Sequence, residues 1–227
     1  MTLFLLIGPS GSGKTTLAEA LVSAGIDTIR SYTTRPMRPG EQQGREHIFI
    51  TEQEATRLIA TRRLLAYTLF GGYRYFALTE QIAPLLTGNT RLVTYVIDER
   101  GYQALQHQLI ELRDEMRLAY GIAMPAIDLV PLRIERPEAD MQDIDPARRQ
   151  RDHERDSGLL IPYRAAITND APTAATLTRW AEESLAPALT VLSSGLLTTS
   201  PVGYMPHLTT AMGTAEIIAH MNDAYVN

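Results

Sequence analysis

With 227 residues and 44% hydrophobic content, the chain is long enough for one sizeable domain, or for one domain with an appendage, and two full domains would be cramped. A formal net charge of -5 and a pI near 5.6 exclude the global positive field of a protein that holds nucleic acid through its phosphates. The absence of cysteine excludes disulfides and thiolate metal sites and fits a reducing cytoplasm, the expected location.

The chain opens on "MTLFLLIG", whose apolar run is too short for a signal peptide, lacks a basic leader and meets a glycine-rich turn at once. It reads as a buried first strand. No later apolar run approaches the roughly 20 residues that span a bilayer, so no membrane partner is expected. Next comes "GPSGSGKTT", which fits G-x-x-x-x-G-K-[ST] between an apolar strand, Leu3 to Ile7, and a helical stretch, "TTLAEALVSAG". Glycines at 8, 11 and 13 let successive N–H groups curl inward, and the following helix N-terminus adds partial positive charge. Gly8, Ser10, Gly11, Ser12, Gly13, Lys14, Thr15 and Thr16 are therefore the expected ATP-binding residues. As in P-loop NTPases generally, Lys14 would reach the β- and γ-phosphates and the Thr15 hydroxyl would ligate Mg²⁺. Lys14 is also the only lysine of the chain, against twenty arginines.

After this helix, "IDTIR" reads as a short strand and "SYTTRPMRPGE" as a stiff loop. Arg35 and Arg38 stand three apart where Pro36 and Pro39 restrict the backbone, so little entropy is left to lose on binding. Guanidinium forks match phosphate oxygens, and a phosphomonoester is the natural ligand. A solvated basic turn is the alternative. Further on, "RLVTYVID" is an apolar strand ending at Asp98, which could cap the next helix. "GYQALQHQLIELRDEMRLAYG" spaces leucines at 105, 109 and 112 for a helix of about five turns. "IDLVPLRI" reads as a core strand. "PTAATLTRWAEESLAPAL" reads as an amphipathic helix with Trp180 buried against the sheet. The last segment is poor in charge, too apolar for a disordered tail, and holds a short helix from about Thr214 to Tyr225. The histidines at 47, 107, 153, 207 and 220 show no metal-ligand spacing.

"GPSGSGKTTL", "SYTTRPMRPGE" and "GREHIF" together resemble the guanylate kinases, a branch of the nucleoside monophosphate kinases. "FGGYRYF", "YVIDERG" and "AITND" are looser matches in the same order, from about residue 3 to 172. The resemblance implies an α/β fold: a P-loop NTPase-type parallel sheet core flanked by helices, a small mixed acceptor-binding subdomain and a lid. The guanylate kinase-like domain is expected over about 1–189, with its core at about 1–30 and 90–189, the acceptor-binding subdomain at about 31–89 and the lid at about 135–158. Residues 190–227 form an extension beyond the family's usual length, whose short helix could pack on a second subunit of a homodimer, cover the site, or do neither.

The activity implied is phosphoryl transfer from ATP, with Mg²⁺, to a purine nucleoside or deoxynucleoside monophosphate. Arg35 and Arg38 would grasp the acceptor phosphate, Tyr75 would add a hydroxyl, and Ser31 would approach the base. Asp98 could orient Mg²⁺ through water or meet the acceptor base. Arg136, Arg148, Arg149 and Arg151 are candidates to close over the transferring group, Arg136 and Arg148 foremost; a solvated helix face with ion pairs is the alternative. Three departures bear on specificity. Ala66 stands where the family carries the glutamate that reads guanine, so guanine selectivity is not implied and a purine with an unprotonated N1, such as 2-aminoadenine, becomes acceptable. His47 replaces a phosphate-contacting tyrosine and brings a pKa near 6.5. Phe76 replaces a glycine, as packing. Two rivals are a P-loop kinase of another phosphorylated acceptor, such as a sugar phosphate, and a non-catalytic guanylate-kinase-like binding module.

Overall fold

The computed structural model describes residues 1–61, 64–87, 91–137, 160–196 and 205–223. They fall into two compact units, one drawn from Ile29–Thr90 and Ile97–Asp128, the other from Thr2–Thr28, Arg91–Val96 and Leu129–Asn227.

The second of these units is built on β1 (Thr2–Ile7), six residues buried without alternation. A strand apolar on both faces needs cover on both, the condition of a central parallel strand. It pairs in parallel with β7 (Leu92–Val96), from Thr2↔Leu92 to Leu6↔Val96. With β2 (Thr28–Ile29), β8 (Asp128–Glu135), β9 (Ala165–Thr168) and β10 (His207–Thr209) it makes a six-stranded sheet in the order β10-β9-β8-β1-β7-β2. α1 (Lys14–Ser23) buries Leu17, Ala18, Ala20 and Leu21. They join one hydrophobic cluster with Phe4, Leu6, Leu132, Ile134, Leu177, Trp180 and Leu189.

The expected helix around Trp180 forms in two pieces. α5 (Ala174–Trp180) runs through a π-helical turn, Ala181–Leu185, into α6 (Ala186–Val191). Pro187 gives the reason: it has no N–H and would clash with the carbonyl four residues earlier inside a regular helix. Widening the turn before it removes the conflict. Trp180 is buried as expected, and its Nε1–H donates to the carbonyl of Met212 at 2.8 Å.

The C-terminal segment is built into this unit. β10 pairs in parallel with β9, His207↔Ala166 to Thr209↔Thr168, and α7 (Thr214–Asp223) contributes Ile217 and Met221 to the same cluster. Arg164, itself buried, donates from Nη2 to the Met221 carbonyl at 2.6 Å.

The other unit holds a mixed four-stranded sheet, β4-β3-β6-β5, made of β3 (Tyr32–Thr33), β4 (Ile48–Phe49), β5 (Leu64–Phe70) and β6 (Tyr73–Leu78). β3 and β4 are parallel; β6 runs antiparallel to both β3 and β5. α2 (Glu52–Ala60) starts at a capping box in which Thr51 and Glu54 satisfy each other's backbone N–H groups. A short helix, α3 (Ala83–Leu86), follows β6. α4 (Glu99–Tyr120), 22 residues long, packs on β5 and clusters with this sheet, although the sequence reading placed it in the core segment. Its Leu105 is fully buried, as the leucine spacing requires. Phe76 is the packing residue expected, fully buried and stacked on Tyr32 at 5.6 Å between ring centroids. No helix among the described residues is long and apolar enough to cross a membrane.

If β10 is a core strand, Leu208→Ala should cost about 2–5 kcal/mol in denaturant unfolding, because Leu208 is fully buried. Leu160→Ala, at a residue 98% exposed, should change stability by less than about 0.5 kcal/mol. Equal, small effects would show that β10 detaches without cost.

Candidate functional site

The phosphate loop leaves the end of β1 and enters α1 at Gly13, whose φ of 96° lies in the left-handed region. Two of its glycines answer to space as well as conformation. A Cβ on Gly8 would stand 2.0 Å from the carbonyl oxygen of Ile134 in β8, and one on Gly13 would stand 2.6 Å from Nδ2 of Asn169. Ser12 is fully buried, and its carbonyl accepts from Asn169 Nδ2 at 3.0 Å. The first turn of α1 carries no acidic residue, so its positive end is uncompensated by the helix itself. Lys14 folds back over the loop, donating to the carbonyls of Gly8 at 2.7 Å and Pro9 at 2.5 Å, with Ser12 Oγ at 3.5 Å. Thr15 and Thr16 follow in the first turn of α1. Ser10 and Gly11 form the crest between them and β1, and Arg136, just beyond β8, reaches the Gly11 carbonyl at 3.5 Å. The loop is thus one backbone cradle with a lysine and an arginine on it.

In the other unit, Arg35 is 7% exposed and already engaged. Its Nη1 and Nη2 each donate to Glu41 at 2.9 Å, and Nη1 also donates to the Pro36 carbonyl at 2.7 Å. Glu41 in turn accepts the Arg38 N–H at 2.7 Å. One carboxylate therefore closes the loop that the two prolines stiffen. Burial works against both charges, but their contact more than offsets it: Arg35 is held above its ordinary pKa and Glu41 below the usual carboxylate range. Tyr75 interacts with the same guanidinium, and its ring meets that of His47 edge-on at 5.8 Å. Arg35 also lies over the Phe49 ring at 5.3 Å.

His47 departs from the expectation of a pKa near 6.5. Burial, then the Arg35 charge, draws it down to about 4, so the imidazole is neutral at pH 7. Its Nδ1 is buried and has no hydrogen-bond partner among the described residues. Ser31 is 9% exposed, in line with β3, and its carbonyl accepts the Ile48 N–H at 2.9 Å. Ala66 is buried at a register shift between Leu65 and Thr68, with φ of 55°, the one described non-glycine residue with positive φ. Asp98 is the N-cap of α4, its Oδ1 accepting the Gly101 N–H at 2.5 Å, which is the capping alternative read from the sequence.

Arg148, Arg149 and Arg151, and the lid apart from its first residues, lie outside the described residues. Glu41, which holds Arg35, and Asn169, which holds the Ser12 carbonyl, were not singled out in the sequence. Both sit inside motifs quoted from the sequence, but a carboxylate beside an arginine pair reads as charge balance until its geometry is known. No cluster of three or more metal-ligating His, Asp or Glu side chains occurs among the described residues.

A family model described as guanylate kinase matches residues 1–113. Among curated proteins, the guanylate kinase of Nitrosococcus oceani is 37% identical over 110 residues, covering 47% of this chain and 53% of that protein. The guanylate kinase of Novosphingobium aromaticivorans is 32% identical over 153 residues, covering 61% of this chain and 68% of that protein. The chain spans about half the length of most curated relatives it matches. The crystal structure of guanylate kinase from Anaplasma phagocytophilum superposes with a TM-score of 0.55 at 19% identity, over 85% of this chain and 86% of that one, which shows a shared P-loop α/β fold. With that fold and more than two thirds of one relative matched, the chain belongs to the guanylate kinase family.

Proposed function

We propose that the protein transfers the γ-phosphoryl group of ATP to the 5′-phosphate of a purine nucleoside or deoxynucleoside monophosphate, (d)GMP or a related purine such as the 2-aminoadenine nucleotide. The observation that carries this reading is the glycine-built phosphate loop with the chain's only lysine, on a member of this family. An oxygen of the acceptor phosphate attacks the γ-phosphorus, a new P–O–P link forms, the bond to the β-phosphate oxygen breaks, and ADP leaves. Both reactants are polyanions, so the protein's work is to neutralise, align and exclude water.

On the donor side, the loop N–H groups and Lys14 hold the β- and γ-phosphates, and Arg136 stands ready beside Gly11 to take up developing charge. Mg²⁺ binds through few protein oxygens and keeps water and phosphate oxygens around it, a donor set to which the Thr15 hydroxyl fits. When bound, the ion would neutralise charge on the β- and γ-oxygens. On the acceptor side, Glu41 and the Pro36 carbonyl hold Arg35 in place, and the edge of the guanidinium they do not take would meet a phosphate, alongside Arg38, Tyr75 and His47. The neutral imidazole can donate one N–H without adding charge. At the base, the methyl of Ala66 offers no acceptor to N1–H or a 2-amino group, which supports relaxed or altered purine choice. The same residue is what favours a different phosphorylated acceptor, such as a sugar phosphate.

Coupled ATPase-type assays over nucleoside and deoxynucleoside monophosphates should show turnover with a purine monophosphate, and Lys14→Ala should lower it by roughly a hundredfold or more. Turnover with a sugar phosphate alone would replace this reading, and none with any acceptor would leave the binding-module alternative. Arg35→Ala should lower kcat/KM for the acceptor by roughly tenfold to a hundredfold, through both KM and kcat, with ATP affinity kept. Normal acceptor kinetics would remove Arg35 from the site.

The His47 proton gives a pH prediction. A group whose folded-state pKa lies below its unfolded value contributes stability above the unfolded pKa and loses it as pH falls. His47 drops from 6.5 to about 4, so its contribution fades between those values. The charged groups around it are Arg35, Arg38, Glu41 and Glu46, with Tyr75 against its ring. Melting temperature should fall less between pH 6.5 and about 4 in His47→Gln than in the wild type; parallel curves would show that the imidazole is not held neutral.

A further inference from the structure

The C-terminal segment does more than extend the sheet. β9 ends at Thr168, where Asn169 and Asp170 turn the chain: the Asn169 N–H donates to the Glu135 carbonyl at 2.8 Å and the Asp170 N–H to the Thr168 carbonyl at 3.1 Å. Asn169 is 9% exposed, and its Nδ2 donates to the Ser12 carbonyl. A trans peptide points its C=O and N–H in opposite directions, so fixing the Ser12 carbonyl also fixes the direction of the Gly13 N–H. That N–H belongs to the loop that holds phosphate. Directly after β10 comes Thr210, whose backbone N–H donates to Asp170 Oδ1 at 3.0 Å and whose hydroxyl donates to the same oxygen. Asp170 is held below the usual carboxylate range, chiefly by the Thr210 hydroxyl. Two residues on, the Met212 carbonyl is clamped by Trp180 Nε1.

We propose that Thr210 is a positioning residue for the phosphate loop, acting through the Asp170 carboxylate and the Asn169 amide to set the Ser12–Gly13 peptide for a donor nucleotide's phosphates. The proposal rests on the donor-side reading above and adds a residue from the C-terminal segment to it. The two bonds to the Asp170 carboxylate are charge-assisted, the stronger kind, and they lie in the same unit as the Asn169–Ser12 bond. The short turn at Asn169 and Asp170 gives the strain or release of one link little room to dissipate before the next.

The test is ADP affinity by calorimetry on the full chain, which needs no turnover. Thr210→Val keeps the shape and the N–H but removes the hydroxyl; it should weaken ADP binding roughly threefold to thirtyfold, and Thr210→Ser should restore it. In an Asn169→Ala background the Thr210→Val change should cost much less, since the link it acts through is gone. A protein whose segment were only structural would lose melting temperature in Thr210→Val and keep its ADP affinity, and that result would overturn the proposal. So would an equal loss with and without Asn169. If Thr210→Val fails to fold, Asp170→Asn, which keeps the acceptor oxygen and removes the charge, carries the same expectation and the same overturning result. Failure of the wild type to bind ADP would instead strike the donor-side reading itself.

Discussion

A phosphate gripped by main-chain N–H groups requires that those groups point one way and that no side chain stands between them and the ligand. The unit built on β1 meets the condition by crowding the outside of the loop. Ile134 presses on Gly8 and Asn169 on Gly13, each closer than a Cβ could be tolerated. The glycines are therefore needed on both counts, for the direction of the backbone and for the approach of its supports. The supports are themselves the ends of parallel strands, β8 and β9, so the loop is held by the same sheet that buries β1. The stability of the sheet and the form of the loop draw on one set of contacts.

Arg35 and Arg38 are organised on a different principle. A free guanidinium on a proline-braced turn would still choose among several rotamers, losing entropy when a phosphate arrives. Glu41 has made that choice in advance, fixing Arg35 by two charge-assisted bonds and the loop by a third. The cost is a buried negative charge beside the guanidinium. Desolvation of a pair left without its partner would be more expensive than the pair itself, so the carboxylate and the guanidinium are best understood as one group. His47 is neutral in the same environment first because it is buried, and then because the Arg35 charge disfavours a second cation beside it.

Much of this was legible in the sequence because it depends on local chemistry. The P-loop signature, the proline spacing of Arg35 and Arg38, and the apolar runs of β1 and β8 each require only neighbours in the chain. The capping box at Thr51 and Glu54 obeys the same local rule and was there to be read. Contacts set by long-range pairing were not readable. The Asp170 carboxylate meets Thr210 across forty residues, and the placement of β10 beside β9 decides that meeting. The π-helical turn before Pro187 was half visible, since the proline announces a fault but not how the chain will absorb it. The His47 pKa was invisible for the simplest reason: burial is a property of the fold.

Ala66 joins the two kinds of information. Its column could be aligned from sequence, and the absence of a carboxylate there follows directly. Its backbone could not be foreseen. A residue with a Cβ at φ of 55° is disfavoured by roughly 1–2 kcal/mol, and a buried alanine is tolerated there only because the register shift between β5 and β6 demands the conformation. β-bulges re-aim the side chain they carry and gather beside functional sites. The residue at 66 is therefore not one position of a regular strand that has drifted from acidic to apolar. It sits at the point where the strand is bent, so the size and polarity of its side chain act on a geometry the neighbouring residues do not share. A change of chemistry at that point leaves the pairing of Leu65 and Thr68 intact, so the polarity of residue 66 can change without disturbing the sheet around it.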